Sequence, residues 1–203
     1  MTRALAAFAS LAIAACAPQA VVTIRSTDWR AVATDSDREK LRDWRSAFVD
    51  GLSQARAAGH AQEIGAQGVL LEPDAALGGA PIPNGVYRCR VTKLGAQRPG
   101  MLAFVAYPAF ACRIRQEKAV QGFAKLTGSQ RPVGLIFPGD ALRQVFLGTM
   151  MLGDEARAMQ YGNDPDRDIA AFVERIGPAR WRMVIPSPAF ESRTDVIELV
   201  PAN

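Results

Sequence analysis

The chain has 203 residues, of which 49% are hydrophobic and 22% are charged, and its formal net charge is +4. This length suits a single domain, or one domain with a smaller unit, that has its own hydrophobic core. The small net charge lacks the concentrated basic element of a nucleic-acid-binding protein, so we expect no nucleic-acid partner. One histidine and three cysteines without metal-ligand spacing, and no nucleotide-binding motif, predict no metal and no cofactor.

The first residues predict an exported lipoprotein. Arg3 precedes an uncharged apolar run over residues 4–15, which is too short to span a bilayer but long enough for a signal peptide. The sequence Ile-Ala-Ala-Cys that ends at Cys16 follows the pattern at which lipoprotein signal peptidase cleaves and a diacylglycerol is attached. We therefore predict a signal peptide over residues 1–15 and lipidation of Cys16. The alternative is an ordinary signal peptide with a coincidental cysteine.

The predicted lipid would anchor the protein to a membrane, with residues 16–27 as a tether that lifts the domain off the lipid surface. Each buried CH₂ contributes about 0.8 kcal/mol, so several acyl chains anchor a protein permanently. Ala17 stands where an aspartate typically retains such lipoproteins at the inner membrane. The sequence therefore predicts an outer-membrane lipoprotein that faces the periplasm.

Residues 28–72 predict a helical segment. Its apolar side chains recur at helical spacing and form one stripe, which consists of Leu41, Trp44, Phe48, Leu52 and Ala55. Either Thr34 or Ser36 fits as the N-cap, because each is followed three residues later by an acidic residue. We expect the first helix to end or kink at Gly59.

The chain changes character after residue 72. Residues 73–84 are rich in glycine, alanine and proline and predict a surface linker, and residues 85–203 predict an antiparallel β domain. The short strand-like runs cover residues 86–94, 109–115, 120–125, 132–137, 143–151, 180–185 and 195–200. Residues 164–177 fit either a capped helix or a hairpin that turns at Gly177, and we favour the hairpin.

Seven or eight short strands in sequence favour a closed sheet, because closure removes the exposed edges of the outermost strands. The predicted fold class is therefore α+β. An N-terminal helical segment precedes a mainly antiparallel, β-barrel-like sheet of seven or eight strands.

Two cysteines lie in the predicted β domain. Cys89 and Cys112 are each on the apolar side of an alternating strand, opposite the flanking arginines. The cell envelope is an oxidising compartment, in which disulfides form and persist. We therefore predict a Cys89–Cys112 bridge between two strands of one core, which would contribute about 3 kcal/mol by the loop-entropy model.

Six arginines alternate with the apolar residues of three predicted strands. They are Arg88, Arg90, Arg113, Arg115, Arg180 and Arg182. If these strands are neighbours, their polar face presents a ladder of guanidinium groups, which Lys125 and Arg131 would extend. Planar guanidinium groups suit phosphate and carboxylate, so the six arginines are candidate anion-binding residues. The alternative is that this face is simply the solvated outside of a barrel.

Several stretches of the chain together resemble one protein family. They are KLTGSQRPVGL at 125–135, ERIG at 174–177, RWR at 180–182 and the closing residues 191–201. These residues are similar to domain-of-unknown-function family 4893, a group of uncharacterised envelope proteins from Gram-negative bacteria. The resemblance covers nearly all of the chain after the signal region and implies an extracytoplasmic protein, without an activity or a catalytic residue. The β half is also similar in architecture to small calycin-type barrels.

The sequence contains no catalytic motif, so we expect a non-catalytic binding or scaffold module. Its partner would be a small apolar or anionic envelope molecule or another protein. The alternative is a carboxylate-dependent hydrolase or lyase that acts on an envelope polymer, with Glu191, Asp195 or Glu198 as acid and base. Asp195 and Glu198 lie on opposite faces if they share a strand, so they form no obvious catalytic pair.

Overall fold

The computed structural model describes residues 21–202, so the predicted signal peptide and the lipidation site at Cys16 lie outside the described residues. The helical part contains a 3₁₀ turn (Trp29–Ala31), the helices α1 (Asp35–Arg42), α2 (Trp44–Ala57) and α3 (Ala61–Ala66), and a second 3₁₀ turn (Gly68–Leu71). The strands are β1 (Gly85–Ala96), β2 (Phe104–Ala106), β3 (Phe110–Glu117), β4 (Val120–Lys125), β5 (Gln130–Phe137), β6 (Arg143–Leu152), β7 (Asp168–Gly177), β8 (Arg180–Pro186) and β9 (Ser192–Pro201). No helix within residues 21–202 is both long and apolar enough to cross a membrane.

Eight of these strands form a closed antiparallel barrel. From β3 to β9 each strand pairs with the next strand in sequence, and β1 pairs with β3 on one side and β9 on the other. The β1–β9 pairing runs from Tyr87 opposite Pro201 to Ala96 opposite Ser192 and closes the sheet. The α+β fold with a barrel-like antiparallel sheet is therefore confirmed.

Two strand pairings add to the sequence prediction. One involves a strand that was not predicted, and the other distinguishes between the two predicted alternatives for residues 164–177. The short strand β2 pairs with β1 at Thr92 to Leu94, and its three residues are too few for an alternating pattern to predict it. Strands β7 and β8 form the favoured hairpin around Gly177. The helix over residues 164–177 is excluded, because the barrel needs an extended β7 between β6 and β8.

The inside of the barrel is apolar. Inward-facing side chains form one buried cluster, which includes Tyr87, Ile114, Phe123, Phe146, Trp181 and Leu199. Cys89 and Cys112 belong to the same cluster and are joined by a disulfide, which confirms the predicted bridge. Their Cα atoms are 6.0 Å apart. The covalent link thus lies inside the barrel and joins the neighbouring strands β1 and β3.

The helices pack on the outside of the barrel. Thr34 caps α1, since its Oγ accepts a hydrogen bond from the backbone N–H of Asp37 at 3.2 Å, so the first of the two N-cap candidates is used. The predicted single stripe is divided between α1 and α2, because the helix breaks at Asp43. Helix α2 lies across β1, β8 and β9. The resulting cluster includes Phe48, Leu52, Ala55, Leu94, Val184 and Val196.

The linker over residues 73–84 closes one end of the barrel. Ile82 is buried there, and its backbone N–H donates to Gln144 Oε1 at 3.0 Å. Its carbonyl accepts a hydrogen bond from Gln121 Nε2 at 2.7 Å. Both glutamines come from strands of the barrel, so the linker is tied into this end rather than lying loosely over the surface.

A buried ion pair joins the helical part to the barrel. Arg182 and Glu174 project outwards from β8 and β7, and both side chains are 0% exposed. Arg182 Nε donates to Glu174 Oε2 at 2.7 Å, and its Nη1 donates to the carbonyls of Leu70 (2.9 Å) and Glu72 (2.6 Å). Arg143 Nε donates to the other Glu174 oxygen at 2.6 Å. The guanidinium therefore satisfies backbone carbonyls at the end of the second 3₁₀ turn.

We predict that Arg182→Ala lowers the free energy of unfolding by about 3–5 kcal/mol, because the buried carbonyls lose their charged donor and Glu174 loses one of its two arginine partners. Arg180→Ala is the matched control, since Arg180 lies on the same strand and face but pairs with Glu198 at a 31% exposed position. Its removal should cost about 1 kcal/mol or less. Urea unfolding measures both free energies. Equal losses of stability in the two variants would show that the buried ion pair does not hold the helical part on the barrel.

Candidate functional site

The end of the barrel opposite the linker is open. Here β1 ends and β9 begins, and the inward-facing residues Lys93, Lys125 and Asp195 surround an opening that we call the barrel mouth. These residues line a cavity of about 360 Å³. Its apolar wall consists of Val91, Phe110, Pro132, Met150, Ile185 and Ile197. The mouth therefore combines an apolar pocket with charged side chains.

Two charged residues of the barrel mouth form a buried ion pair. Lys93 Nζ lies 3.0 Å from Asp195 Oδ2 and 3.3 Å from Glu191 Oε2. Ser192 Oγ donates a hydrogen bond to the other carboxylate oxygen of Asp195. Burial alone would lower the pKa of Lys93, but the two neighbouring carboxylates outweigh burial and raise the pKa. Lys93 is therefore a charged group that the protein itself neutralises.

Lys125 is the second cation of the barrel mouth, and it lacks such a neutralising partner. Its Nζ lies 4.2 Å from the centroid of the Phe110 ring, in a cation–π contact. Within residues 21–202, no carboxylate forms an ion pair with it. Burial lowers the pKa of Lys125, and the positive charges of Lys93 and Arg131 lower it further. Lys125 thus presents to the cavity an ammonium group that has no ion-pair partner among the described residues.

The barrel mouth was not predicted from the sequence, although two of its carboxylates, Glu191 and Asp195, were candidate acid–base residues. Lys93 and Asp195 are 102 residues apart and meet only because β1 and β9 close the barrel. Lys125 was expected to extend the arginine ladder, but it shares the inner face of β4 with Phe123. A usable signal existed on β1, because Lys93 follows Cys89 by four residues and so shares its inward-facing side.

The six candidate arginines lie on the outer face of the barrel and fall into two groups. The first group is paired: Arg90 and Arg180 contact Glu198 at 3.1 and 2.6 Å, and Arg182 contacts Glu174 at 2.6 Å. The second group is exposed and consists of Arg88, Arg113 and Arg115. The first group balances buried or half-buried carboxylates of the barrel, so only the second group is open to an external anion.

The candidate acid–base carboxylates are also separated. Asp195 faces the barrel mouth, whereas Glu198 is on the outer face of the same strand. Glu191 lies at the rim with half of its side chain exposed, and it contacts Lys93. The two carboxylates of the mouth therefore both pair with Lys93. Among the described residues, neither of them forms a catalytic acid–base pair with an unpaired carboxylate.

A second polar cluster lies on the outer side of the barrel, and one of its members, Asp168, is near the mouth residues Lys93 and Asp195. Tyr161 O–H donates to Asp37 Oδ2 at 2.7 Å and accepts from the backbone N–H of Thr34 at 3.1 Å. Asp168 Oδ1 accepts from the backbone N–H of Gly162 at 2.9 Å. Burial raises the pKa of Asp168 to about 6, and the negative charge of Asp37 adds to this effect. The carboxyl group of Asp168 therefore loses its proton at a pH just below neutral.

Comparison with known proteins gives a family but no activity. A family model described as a domain of unknown function, DUF4893, matches residues 29–199. No curated protein and no solved structure matches the chain. The match covers both the helices and the barrel, so the two parts form one family unit.

We predict that Asp168→Asn removes part of the pH dependence of stability. The pKa of Asp168 is higher in the folded state than in an unfolded chain, so wild-type stability falls as the pH rises through about 6. Between about pH 5 and about pH 7.5, the wild type should lose about 1 kcal/mol relative to the variant, after allowance for solvent screening. Asp166→Asn, at an exposed neighbour, is the control. Unfolding curves with parallel pH profiles for wild type and Asp168→Asn would contradict this prediction.

Proposed function

Because the chain belongs to the DUF4893 family, whose description names no activity, we propose a function from the geometry of the barrel mouth. The protein is a binding protein for a small amphipathic molecule that has one negatively charged head and an apolar body. The apolar body enters the cavity, and the anionic head pairs with Lys125. The ligand class is an organic carboxylate, phosphate or sulfonate with an apolar chain or ring.

The observation that supports this proposal is the state of Lys125. A half-buried ammonium group without an anionic partner is unfavourable, because burial removes part of its hydration. An anionic ligand head would supply the missing charge and restore the ordinary pKa of the lysine. The apolar wall beside it would desolvate the rest of the ligand. Both halves of an amphipathic anion therefore have a counterpart in one cavity.

The size and the charge of the site limit the range of ligands that it can bind. A cavity of about 360 Å³ is at the small end of the range for ligand pockets, which is roughly 300–1,000 Å³. Lys93 is already neutralised by Asp195 and Glu191, so it adds little attraction for a second negative charge. The site therefore fits a small, singly charged ligand better than a large or polyanionic one.

The hydrolase or lyase alternative receives less support from the same geometry. A pair of catalytic carboxylates needs one acid with a raised pKa and one free base, both facing the substrate. At the barrel mouth, burial raises the pKa of Asp195, but both Asp195 and Glu191 contact Lys93 Nζ, so neither carboxylate is an unpaired base facing the cavity. Binding without chemistry is the simpler use of this arrangement.

We also propose that this binding protein is lipidated at Cys16 and held at the outer membrane, facing the periplasm. The support is the apolar leader with its Ile-Ala-Ala-Cys end, together with a disulfide of the kind that an oxidising compartment permits. In this setting, the ligand would be a small envelope molecule rather than a cytoplasmic metabolite.

The first test replaces Lys125 by a neutral side chain of similar length. We expect the wild type to bind the fluorescent anion 1-anilinonaphthalene-8-sulfonate, and decanoate to displace it, while decylamine does not. Lys125→Met should weaken decanoate binding by about tenfold or more, because a charged hydrogen bond is lost while the contact with Phe110 is kept. Lys118→Met, at an exposed turn outside the mouth, is the matched control and should bind as the wild type does.

Two results would contradict the proposal. One is equal decanoate affinity in the wild type and in Lys125→Met. The other is equal displacement by decanoate and decylamine, since this would show that the cavity takes apolar molecules without regard to charge. In either case the lysine would have a role in packing alone.

The lowered pKa of Lys125 also predicts a pH dependence of binding. The ammonium loses its proton at a lower pH than an exposed lysine does, so decanoate affinity should fall as the pH rises through this lowered pKa. Decanoate itself remains ionised over this range. Lys125→Met should show a flat profile under the same conditions, and a titration of decanoate at increasing pH compares the two proteins. A parallel fall in both proteins would assign the effect to another group.

A further inference from the structure

Three of the six candidate arginines are exposed, and these three lie together on one side of the barrel. We call this surface the basic face, and it consists of Arg88, Arg113, Arg115 and Lys118. It covers the outer side of β1 and β3 and the turn that leads into β4. Helix α1 packs mainly on β7, and helix α2 packs mainly on β1, β8 and β9, so the part of the basic face on β3 and on the turn into β4 lies outside the main helix contacts.

The strand register brings the side chains of the basic face close together. Arg88 is opposite Ala111 and Arg113 is opposite Val86, so the two arginines are diagonal neighbours on adjacent strands. On the other side, Arg113 and Arg115 lie opposite Ala124 and Gly122 of β4, respectively. The small residues Ala111 and Ala124 leave room around Arg88 and Arg113, whereas the Glu117 side chain lies over Gly122 beside Arg115.

The charge of this face is largely uncompensated. Within residues 21–202, neither Arg88 nor Arg113 forms a salt bridge, and Arg115 pairs with Glu117. The other candidate arginines all pair with glutamates of the barrel. Among the described residues, the fold therefore pairs four of the six arginines with carboxylates and leaves Arg88 and Arg113 without a salt bridge, although all six occupy outward positions on their strands.

The N-terminal part of the described chain runs beside the basic face. Val22 is buried against the outside of the barrel, and Thr23 and Ile24 line a groove together with Arg113 and Arg115. The volume of this groove is about 630 Å³. Cys16 precedes Val21 by five residues, and a chain of that length spans at most about 18 Å.

We propose that the basic face docks on the surface of an anionic bilayer. A lipid attached at Cys16 would hold the membrane within about 18 Å of the groove, so this side of the barrel would be the nearest to the headgroups. The guanidinium groups suit the phosphates of those headgroups. The barrel then lies with β3 and the turn into β4 towards the membrane. This orientation uses the proposed lipidation of Cys16, but it is independent of the ligand at the barrel mouth.

The test measures binding of the unlipidated chain to vesicles. A chain of residues 17–203 keeps every element from the first 3₁₀ turn to β9, and with them the complete core. We expect it to co-sediment at low ionic strength with vesicles that contain phosphatidylglycerol and phosphatidylcholine, but not with pure phosphatidylcholine vesicles. The Arg113→Glu/Arg115→Glu pair should weaken this binding by more than about tenfold, because each basic residue near an anionic surface contributes attraction.

The control reverses two charges on the helical side. Arg42 and Arg56 are exposed on α1 and α2, so Arg42→Glu/Arg56→Glu changes the net charge equally while leaving the basic face intact. This control should lose much less affinity for the vesicles. Thermal unfolding checks that each variant is folded, and Arg88→Gln/Arg113→Gln gives a milder test if a charge reversal on the basic face disturbs the barrel.

Three outcomes would overturn the proposal. They are no binding to phosphatidylglycerol vesicles, equal binding to both kinds of vesicle, and equal losses in the two charge-reversed variants. The last outcome would show that net charge, and not this face, attracts the protein to the bilayer. None of these results would affect the decanoate test of the barrel mouth.

Discussion

Strand β1 pairs with β9 along the full length of β9, and this pairing closes the barrel and separates its inner face from its outer face. Without it, the strands would form an open meander with two unpaired edges. With it, alternate residues of each barrel strand have different environments, since one set faces the enclosed core and the other faces helices or solvent. The disulfide, the cavity and both groups of arginines depend on this division.

Charged side chains are stabilised in different ways on the inner and outer faces of the barrel. Inside, the polar groups of the described residues gather near the ends of the barrel, where Lys93 and Asp195 neutralise each other and Gln121 holds the linker. Outside, Arg182 and Glu174 under the helical layer pair with each other, because burial of a charge without a partner is expensive. Charges on the uncovered strands need no partner, since water solvates them. The same residue type therefore serves the fold at one position and remains free for binding at another.

Local patterns were enough to predict the fold class, the disulfide and the position of the six arginines on the face opposite the apolar one. These features follow from strand parity, which is a property of a few consecutive residues. Parity also predicted that Asp195 and Glu198 lie on opposite faces of one strand. The break at Asp43 was missed because the apolar stripe continues across it without losing helical spacing.

The candidate site could not be predicted in the same way, because it depends on contacts between distant parts of the chain. Lys93, Lys125 and Asp195 lie on three strands, and their meeting requires both the closure of the sheet and the register of its strands. The division of the six arginines is equally non-local, since Glu198 and Glu174 neutralise some of them across strands. The sequence contains the charges, whereas the topology decides which of them remain free.

The position of the disulfide has a consequence for the order in which the protein matures. The two cysteines are separated by 23 residues, whereas closure joins residues about 100 positions apart, so the sulfurs can meet before the barrel closes. Both cysteines are fully buried once β9 is in place, and thiol exchange requires access to a sulfur atom. We therefore expect the two cysteines to be oxidised before the barrel closes. Reduction of their disulfide in the native protein requires the barrel to open again. The oxidation state of the mature protein consequently depends on the compartment in which the chain folds, rather than on the one in which it later resides.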